Sequence, residues 1–227
     1  MILSGIPADP AADVRCTEMK NGVLDRLVLG MVSTNVWFLK NKETGELLVV
    51  DPADRADAIE RKAQMMEGKP AAILLTHGHF DHILAADSLR RRWDVPIYAM
   101  EDERELLADP AKNLSGDWGS ACSIEADHWL RDNEELELAG FRIRVLHTPG
   151  HTAGSCCYYL ADEAILISGD TLFLRSVGRT DMPTASGRQM QQSIHRLLGE
   201  LPDETKVYPG HDDETTIAYE KRYNPFA

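Results

Sequence analysis

The chain has 227 residues, 43% of them hydrophobic, and a formal charge of −13 at pH 7. Length and apolar content suit one αβ domain with its own core, so residues 1–227 are read as a single domain. No run reaches the ~20 consecutive apolar residues that cross a bilayer, and the acidic balance opposes nucleic acid, which is gripped by Lys and Arg at phosphates.

The segment Met1 to Arg15 is broken by Gly5, Pro7, Asp9, Pro10 and Asp13, so neither a membrane anchor nor a signal peptide is expected there. Cysteines stand at 16, 122, 156 and 157 without a Cys-x-x-Cys pair. Reduced thiols in a cytoplasmic protein are the simplest reading. Cys156 and Cys157 fall in an expected strand and point to opposite faces, which leaves at most one for the core.

In chain order, Asn35 to Lys40 and Glu46 to Val50 read as a hairpin around Thr44-Gly45, ending at Asp51-Pro52. Arg55 to Glu67 reads as a helix closed by Gly68. Ala71 to Thr76 is a short apolar run of the kind buried on both faces, and it leads straight into His77-Gly78-His79-Phe80-Asp81-His82. A helix from about Ile83 to Trp93 follows, with Arg90-Arg91-Arg92 as its solvated, dipole-compensating end. A strand over Pro96 to Met100 and an acidic helix over Asp102 to Ala108 come next. Residues 109–133 read as irregular. Strands are expected near Glu134 to Leu138, Phe141 to His147, Ser155 to Leu160, Ala164 to Ser168 and Lys206 to Tyr208, and helices over Gly187 to Leu198 and Thr215 to Tyr223. Such alternation suggests two sheets packed face to face with helices outside.

Chemistry concentrates at the strand ends. His77, His79, Asp81 and His82 put four candidate metal ligands into six residues. Imidazole suits zinc and iron, and a carboxylate adds a hard oxygen. Three more β-runs end in a Gly-flanked ligand type: Leu146 to His151 (LHTPGH), Ile165 to Asp170 (ILISGD) and Val207 to His211 (VYPGH). Each ending alone reads as a turn; together with the histidine loop they form one candidate site. His128, His147 and His195 lack motif partners and read as packing or surface residues. Trp118 and Trp129 read as core or edge packing before lining of a substrate mouth.

In motif order, Thr76-His77 to His82, Thr148-Pro149-Gly150-His151-Thr152, Gly169-Asp170-Thr171-Leu172-Phe173, Gly178-Arg179-Thr180-Asp181 and Pro209-Gly210-His211 resemble the metallo-β-lactamase superfamily, and within it the short glyoxalase II-like hydrolases. The resemblance runs from about Thr34 to Phe226. It implies an α/β fold, the αββα sandwich of two mixed sheets with helices outside. It also implies two divalent ions, zinc and/or iron with manganese possible. His77, His79 and His151 would hold the first, Asp81, His82 and His211 the second, and Asp170 would bridge them. Asp51 matches a position that steadies a ligand by hydrogen bonding, and Asp81 could also orient the nucleophile. The implied reaction is attack by a metal-bridging hydroxide on an anionic small-molecule thioester such as S-lactoylglutathione, so Ser155, Ser168 and Cys156 need no nucleophilic role.

The substrate side departs from the family pattern. Asp181 and Asp213 stand where glutathione-gripping tyrosines are usual, and residues 212–227 are too few for the extra glutathione-binding helices. Arg179 aligns near a basic glutathione contact; it could hold a substrate carboxylate or pair with Asp181. A mononuclear iron persulfide dioxygenase, held in the pattern of His77, His151 and Asp170, is the rival reading, and lactone or other ester hydrolysis is the nearer neighbour.

Overall fold

The computed structural model describes residues 16–118 and 120–227; the reading of Met1 to Arg15 lies outside them. The first sheet is formed by β1 (Thr17–Glu18), β2 (Gly22–Leu29), β3 (Thr34–Asn41), β4 (Glu46–Val50), β5 (Lys69–Leu74), β6 (Ile97–Met100) and β7 (His128–Leu130), in that spatial order. It is antiparallel from β1 to β4 and parallel from β4 to β7. The second sheet draws on β8 (Glu135–Leu138), β9 (Phe141–His147), β10 (Cys156–Leu160) and β11 (Ile165–Gly169). A small ribbon of β12 (Leu172–Phe173) and β13 (Ser176–Val177) precedes β14 (Lys206–Pro209) and β15 (Thr215–Thr216). The second sheet is ordered β15-β14-β11-β10-β9-β8, with β11 and β14 its parallel pair. Helices are α1 (Ala56–Met65), α2 (Phe80–Ile83), α3 (Ala86–Trp93), α4 (Arg104–Ala108), α5 (Gly187–Glu200) and α6 (Ile217–Tyr223).

The two-residue period of the strands separates the layers. Trp37, Leu39, Leu48 and Val50 point into the space between the sheets, where Val145, Tyr158 and Ile167 of the second sheet meet them. Their neighbours Val36, Phe38, Leu47 and Val49 face the other way, against Ile59 and Ala63 of α1 and Leu89 of α3. On the far side, Leu146, Leu166 and Val207 pack under Met190, Ile194 and Leu197 of α5. Four layers result, helix, sheet, sheet, helix, as expected from sequence. Each buried aliphatic side chain contributes about 1.5–3 kcal/mol by leaving water.

Several local readings are corrected. Cys156 and Cys157 are both buried, at 1% and 0% exposure. They do point to opposite faces, but β10 is covered on both, by the inter-sheet core on one side and α5 on the other. The expected Ile83–Trp93 helix starts earlier, at Phe80, and is split at Leu84 and Ala85. Strand β7 lies inside the stretch read as irregular, and Thr215–Thr216 pairs with β14, Thr216 also capping the last helix, which begins at Ile217. The eight-residue β2 went unread: Asp25 and Arg26 interrupt its apolar pattern, yet Asp25 is buried in an ion pair with Lys62 (2.5 Å).

Hydrogen bonds across the sandwich lock the strand ends where the candidate ligands lie. Tyr158 Oη donates to Leu75 O (2.7 Å), and Cys156 N to Thr76 O (2.9 Å). Trp37 Nε1 and Asn35 Nδ2 both donate to Pro209 O (2.9 and 3.0 Å), while Asn35 N reaches Gly210 O (2.7 Å).

Candidate metal centre

Four chain segments deliver the predicted residues to one end of the sandwich. His77 and His79 follow β5, and Asp81 and His82 sit on α2. His151 closes the turn after β9, Asp170 follows β11, and His211 follows β14. Ring nitrogens of His77, His79 and His151 form one cluster, and donor atoms of Asp81, His82 and His211 another; within each, the donor atoms lie within 4.8 Å of one another. His79 Nδ1 is 2.9 Å from His151 Nε2. Asp81 Oδ2 stands 3.3 Å from both His82 Nε2 and His211 Nε2. Asp170 reaches both clusters: Oδ2 is 3.5 Å from His151 Nε2 and from His211 Nε2, and Oδ1 is 3.5 Å from His82 Nε2.

A second ring of contacts orients these groups. Asp51 is buried, accepts from Thr76 N (2.8 Å) and Thr76 Oγ1 (2.6 Å), and sits 2.9 Å from His82 Nδ1. That contact puts the His82 proton on Nδ1 and turns Nε2 toward Asp81 and Asp170. His151 Nδ1 similarly faces Arg179 O (2.9 Å), leaving Nε2 for the cluster. Thr34 Oγ1 donates to Asp81 Oδ2 (2.9 Å), and a side chain at Gly210 would collide with Asp170 Oδ1, so only glycine lets β14 deliver His211 here.

The donor chemistry fits cations. Among the described residues, His77 Nε2, His79 Nε2 and Asp170 Oδ1 are buried and make no hydrogen bond, a cost native interiors rarely carry without a partner. Burial, reinforced by neighbouring rings, holds His77 well below the ordinary histidine range and brings His79 down to about 3; burial lowers His151 too. Those three rings are neutral, the form that ligates metal. Burial opposes charge at Asp170 and Asp81, but His82 and His211 outweigh it, placing Asp170 at about 2 and Asp81 far below its usual value. In return, burial at His82 is overcome by Asp81, Asp170 and Asp51, and at His211 by hydrogen bonds to Asp170 and Asp81, which raise His211 to about 9. The carboxylates thus favour positive charge at this end of the site.

The clusters open into a cavity of about 340 Å³ whose wall includes Val32, Leu114, Trp118, Phe173, Met182 and Arg179. Trp118 is half exposed and stacks on Phe80 with ring centroids 5.3 Å apart, so it lines the mouth instead of packing inside. Trp129 does pack against the core, under Arg104. Arg179 makes a two-pronged ion pair with Asp181 (2.7 and 2.9 Å). His128 stacks on Tyr98, His147 bonds Ala153 O and His195 is exposed, all apart from the clusters. A larger cavity of about 480 Å³ beside Tyr208 and Tyr219 is lined by none of the clustered groups. Sequence reasoning missed Thr34 and Glu103. The latter lies in an acidic run that resembles a solvated surface, yet it is 1% exposed and burial pushes its carboxyl up to about 7.

Two His/Asp clusters joined by one carboxylate, at the strand ends of an αββα sandwich, fit the dinuclear site of a metallo-hydrolase. The chain belongs to the metallo-beta-lactamase superfamily, whose family model matches residues 29–211. It is 38% identical over 203 residues to the probable metallo-hydrolase YqgX of Bacillus subtilis, covering 88% of this chain and 95% of that one. It is 32% identical over 182 residues to the hydroxyacylglutathione hydrolase GloC of Haemophilus influenzae, covering 78% and 85%. Among solved structures, it resembles the BLEG-1 B3 metallo-beta-lactamase (TM-score 0.84, 40% identity, 89% and 98% covered) and TTHA1623 in a di-iron-bound form (0.80, 35%, 89% and 99%). ETHE1 from Myxococcus xanthus is also similar (0.74, 31%, 89% and 83%). Among the described residues no helix is long and apolar enough to cross a membrane.

Proposed function

We propose that the chain is a single-domain, cytoplasmic, metal-dependent hydrolase of small thioesters, with S-lactoylglutathione the first candidate substrate. The observation that carries this reading is the position of Asp170 between the His77–His79–His151 and Asp81–His82–His211 clusters, within 3.5 Å of a ring nitrogen of each. These seven residues would hold two divalent ions, zinc and/or iron, and the donor set also accepts manganese. When bound, such ions supply water activated near neutral pH and a polarised carbonyl.

The chain's own groups do the rest. Asp81, ionised and fixed by Thr34 Oγ1, can orient an attacking water by accepting a hydrogen bond from it. Asp51 keeps the His82 ring in one tautomer and orientation. Val32, Phe173 and Met182 give the cavity an apolar wall that limits water around a bound acyl group. With Arg179 tied to Asp181, selectivity for an anionic leaving group has little local charge to draw on, which keeps lactones, other esters and β-lactams as competing substrates. The thioester choice is supported by the likeness to GloC.

Elemental analysis of purified protein, paired with S-lactoylglutathione turnover with and without a chelator, tests this. About two ions per chain and chelator-sensitive turnover are expected. One iron per chain, no thioester turnover and oxygen uptake on glutathione persulfide would replace the hydrolase with a dioxygenase. Faster turnover of a lactone or β-lactam would keep the hydrolase and change its substrate.

A further inference from the structure

Glu103 ends the short turn Glu101–Glu103 between β6 and α4 and is almost fully buried. Among the described residues it forms no ion pair. Its oxygens are instead filled by three neutral donors: Gly78 N to Oε1 (2.8 Å), and Thr152 Oγ1 (3.0 Å) and Gly154 N (2.8 Å) to Oε2. Gly78 lies between His77 and His79, and Thr152 follows His151. One carboxylate therefore joins the two loops that carry the three-histidine cluster, 25 residues away in sequence on one side and 49 on the other.

The fit is close on both sides. A Cβ at Gly154 would collide with Glu103 N, and one at Gly78 would press on Leu106 and Leu107 Cδ2 (2.8 Å each), so both loops are drawn against the Glu103 segment. A buried carboxyl without a cation is costly, and an apolar residue would fill the space at less expense were packing the sole requirement. The other cluster has supports of its own, Asp51 on His82 and Asn35 on Pro209 and Gly210 ahead of His211, while Asp51 also holds Thr76, whose Oγ1 lies 3.2 Å from His77 Nδ1.

Building on the dinuclear reading, we propose that Glu103 is the positioning residue of the three-histidine cluster: it fixes the separation of the His77–His79 loop from His151 and so sets that cluster's affinity for metal, leaving the Asp81–His82–His211 cluster to Asp51 and Asn35. Glu103 touches none of the candidate ligands and acts through the backbone between them.

The experiment titrates metal-stripped full-length protein with Zn²⁺ alone against a chromophoric chelator, resolving two dissociation constants. In Glu103→Gln one constant weakens about tenfold or more and the other stays at the wild-type value. His211→Ala and His151→Ala assign the site: adding Glu103→Gln weakens the zinc left in His211→Ala and leaves that in His151→Ala unchanged. Thr152→Val removes one bond to Glu103 and gives a smaller loss at the same site, which Thr152→Ser restores; this pair carries the test if Glu103→Gln does not fold. Equal weakening of both sites, or a lowered Tm with both constants unchanged, would overturn the proposal. Wild type that binds fewer than two zinc ions would instead overturn the dinuclear reading on which it rests.

Discussion

At the floor of the site, His77, His82 and Asp51 are buried, and Asp51 alone bonds Thr76 N, Thr76 Oγ1 and the His82 ring. At the mouth, Val32 and Trp118 are 43% and 50% exposed, and Arg179 is engaged by Asp181 in water. The floor is held from several parts of the chain: Asp51 fixes His82, Thr34 fixes Asp81 and Arg179 O fixes His151. The mouth is held by few contacts, an apolar rim with one already-neutralised cation. Reaction class thus resides in the closely held floor and substrate choice in the mouth, which has freedom to vary.

The largest effect is expected at the floor. Asp170→Asn removes the charge shared by both clusters and is expected to cut thioester turnover ~10²–10³-fold with loss of bound metal; turnover within a few-fold of wild type in a metal-replete assay would break the contrast. Next, the buried Glu103 carboxyl takes its proton at about 7 in the fold against an ordinary value of 4.5. Between those values the folded state holds a proton that the unfolded state has lost, so stability is full below about pH 4.5 and declines as pH rises to about 7. The loss is roughly 3 kcal/mol at most. Denaturant melts across that window should show the decline in wild type relative to Glu103→Gln; parallel curves would mean the carboxyl is ionised throughout.

At the mouth the effects are smaller and fall on selectivity. Trp118→Ala is expected to change kcat/KM for thioesters with bulky apolar acyl groups by roughly tenfold, chiefly through KM, while small acyl groups lose less; equal losses across acyl size would show that Trp118 supports the floor through Phe80. The smallest change is expected from Arg179→Gln, under about threefold in KM for S-lactoylglutathione, because the guanidinium is exposed and already paired. A tenfold rise would show that substrate displaces Asp181, and would move specificity toward anions.

The histidine loop was legible because rare residue types crowd into six positions after a buried strand, and the three Gly-flanked endings followed from the same pattern. Layer order was legible too, since periodicity reports which strands are covered. The contacts that hold the ligands in place were not: Asn35 meets Pro209 only once the sheets dock, and Thr34 meets Asp81 only once β3 and the segment after β5 come together in the first sheet. Local pattern misled at Glu103, whose acidic neighbours suggest solvent, and at β2, where Lys62 on α1 answers a charge that seemed to forbid a strand. Cys156 and Cys157 were misjudged for one reason: a strand between two covered faces has no outward side.

The bonds from Asn35 and Trp37 to Pro209 span 174 and 172 residues of chain, and His82 and His211 stand 129 apart. Closing such loops costs entropy before any contact repays it, which slows folding of chains rich in distant pairings. The second cluster is therefore completed late, after both sheets have formed and met. During synthesis it stays open until His211 has followed β14 out of the ribosome, although His77, His79, His151 and Asp170 are all made earlier, so capture of a full complement reports that the sandwich has closed.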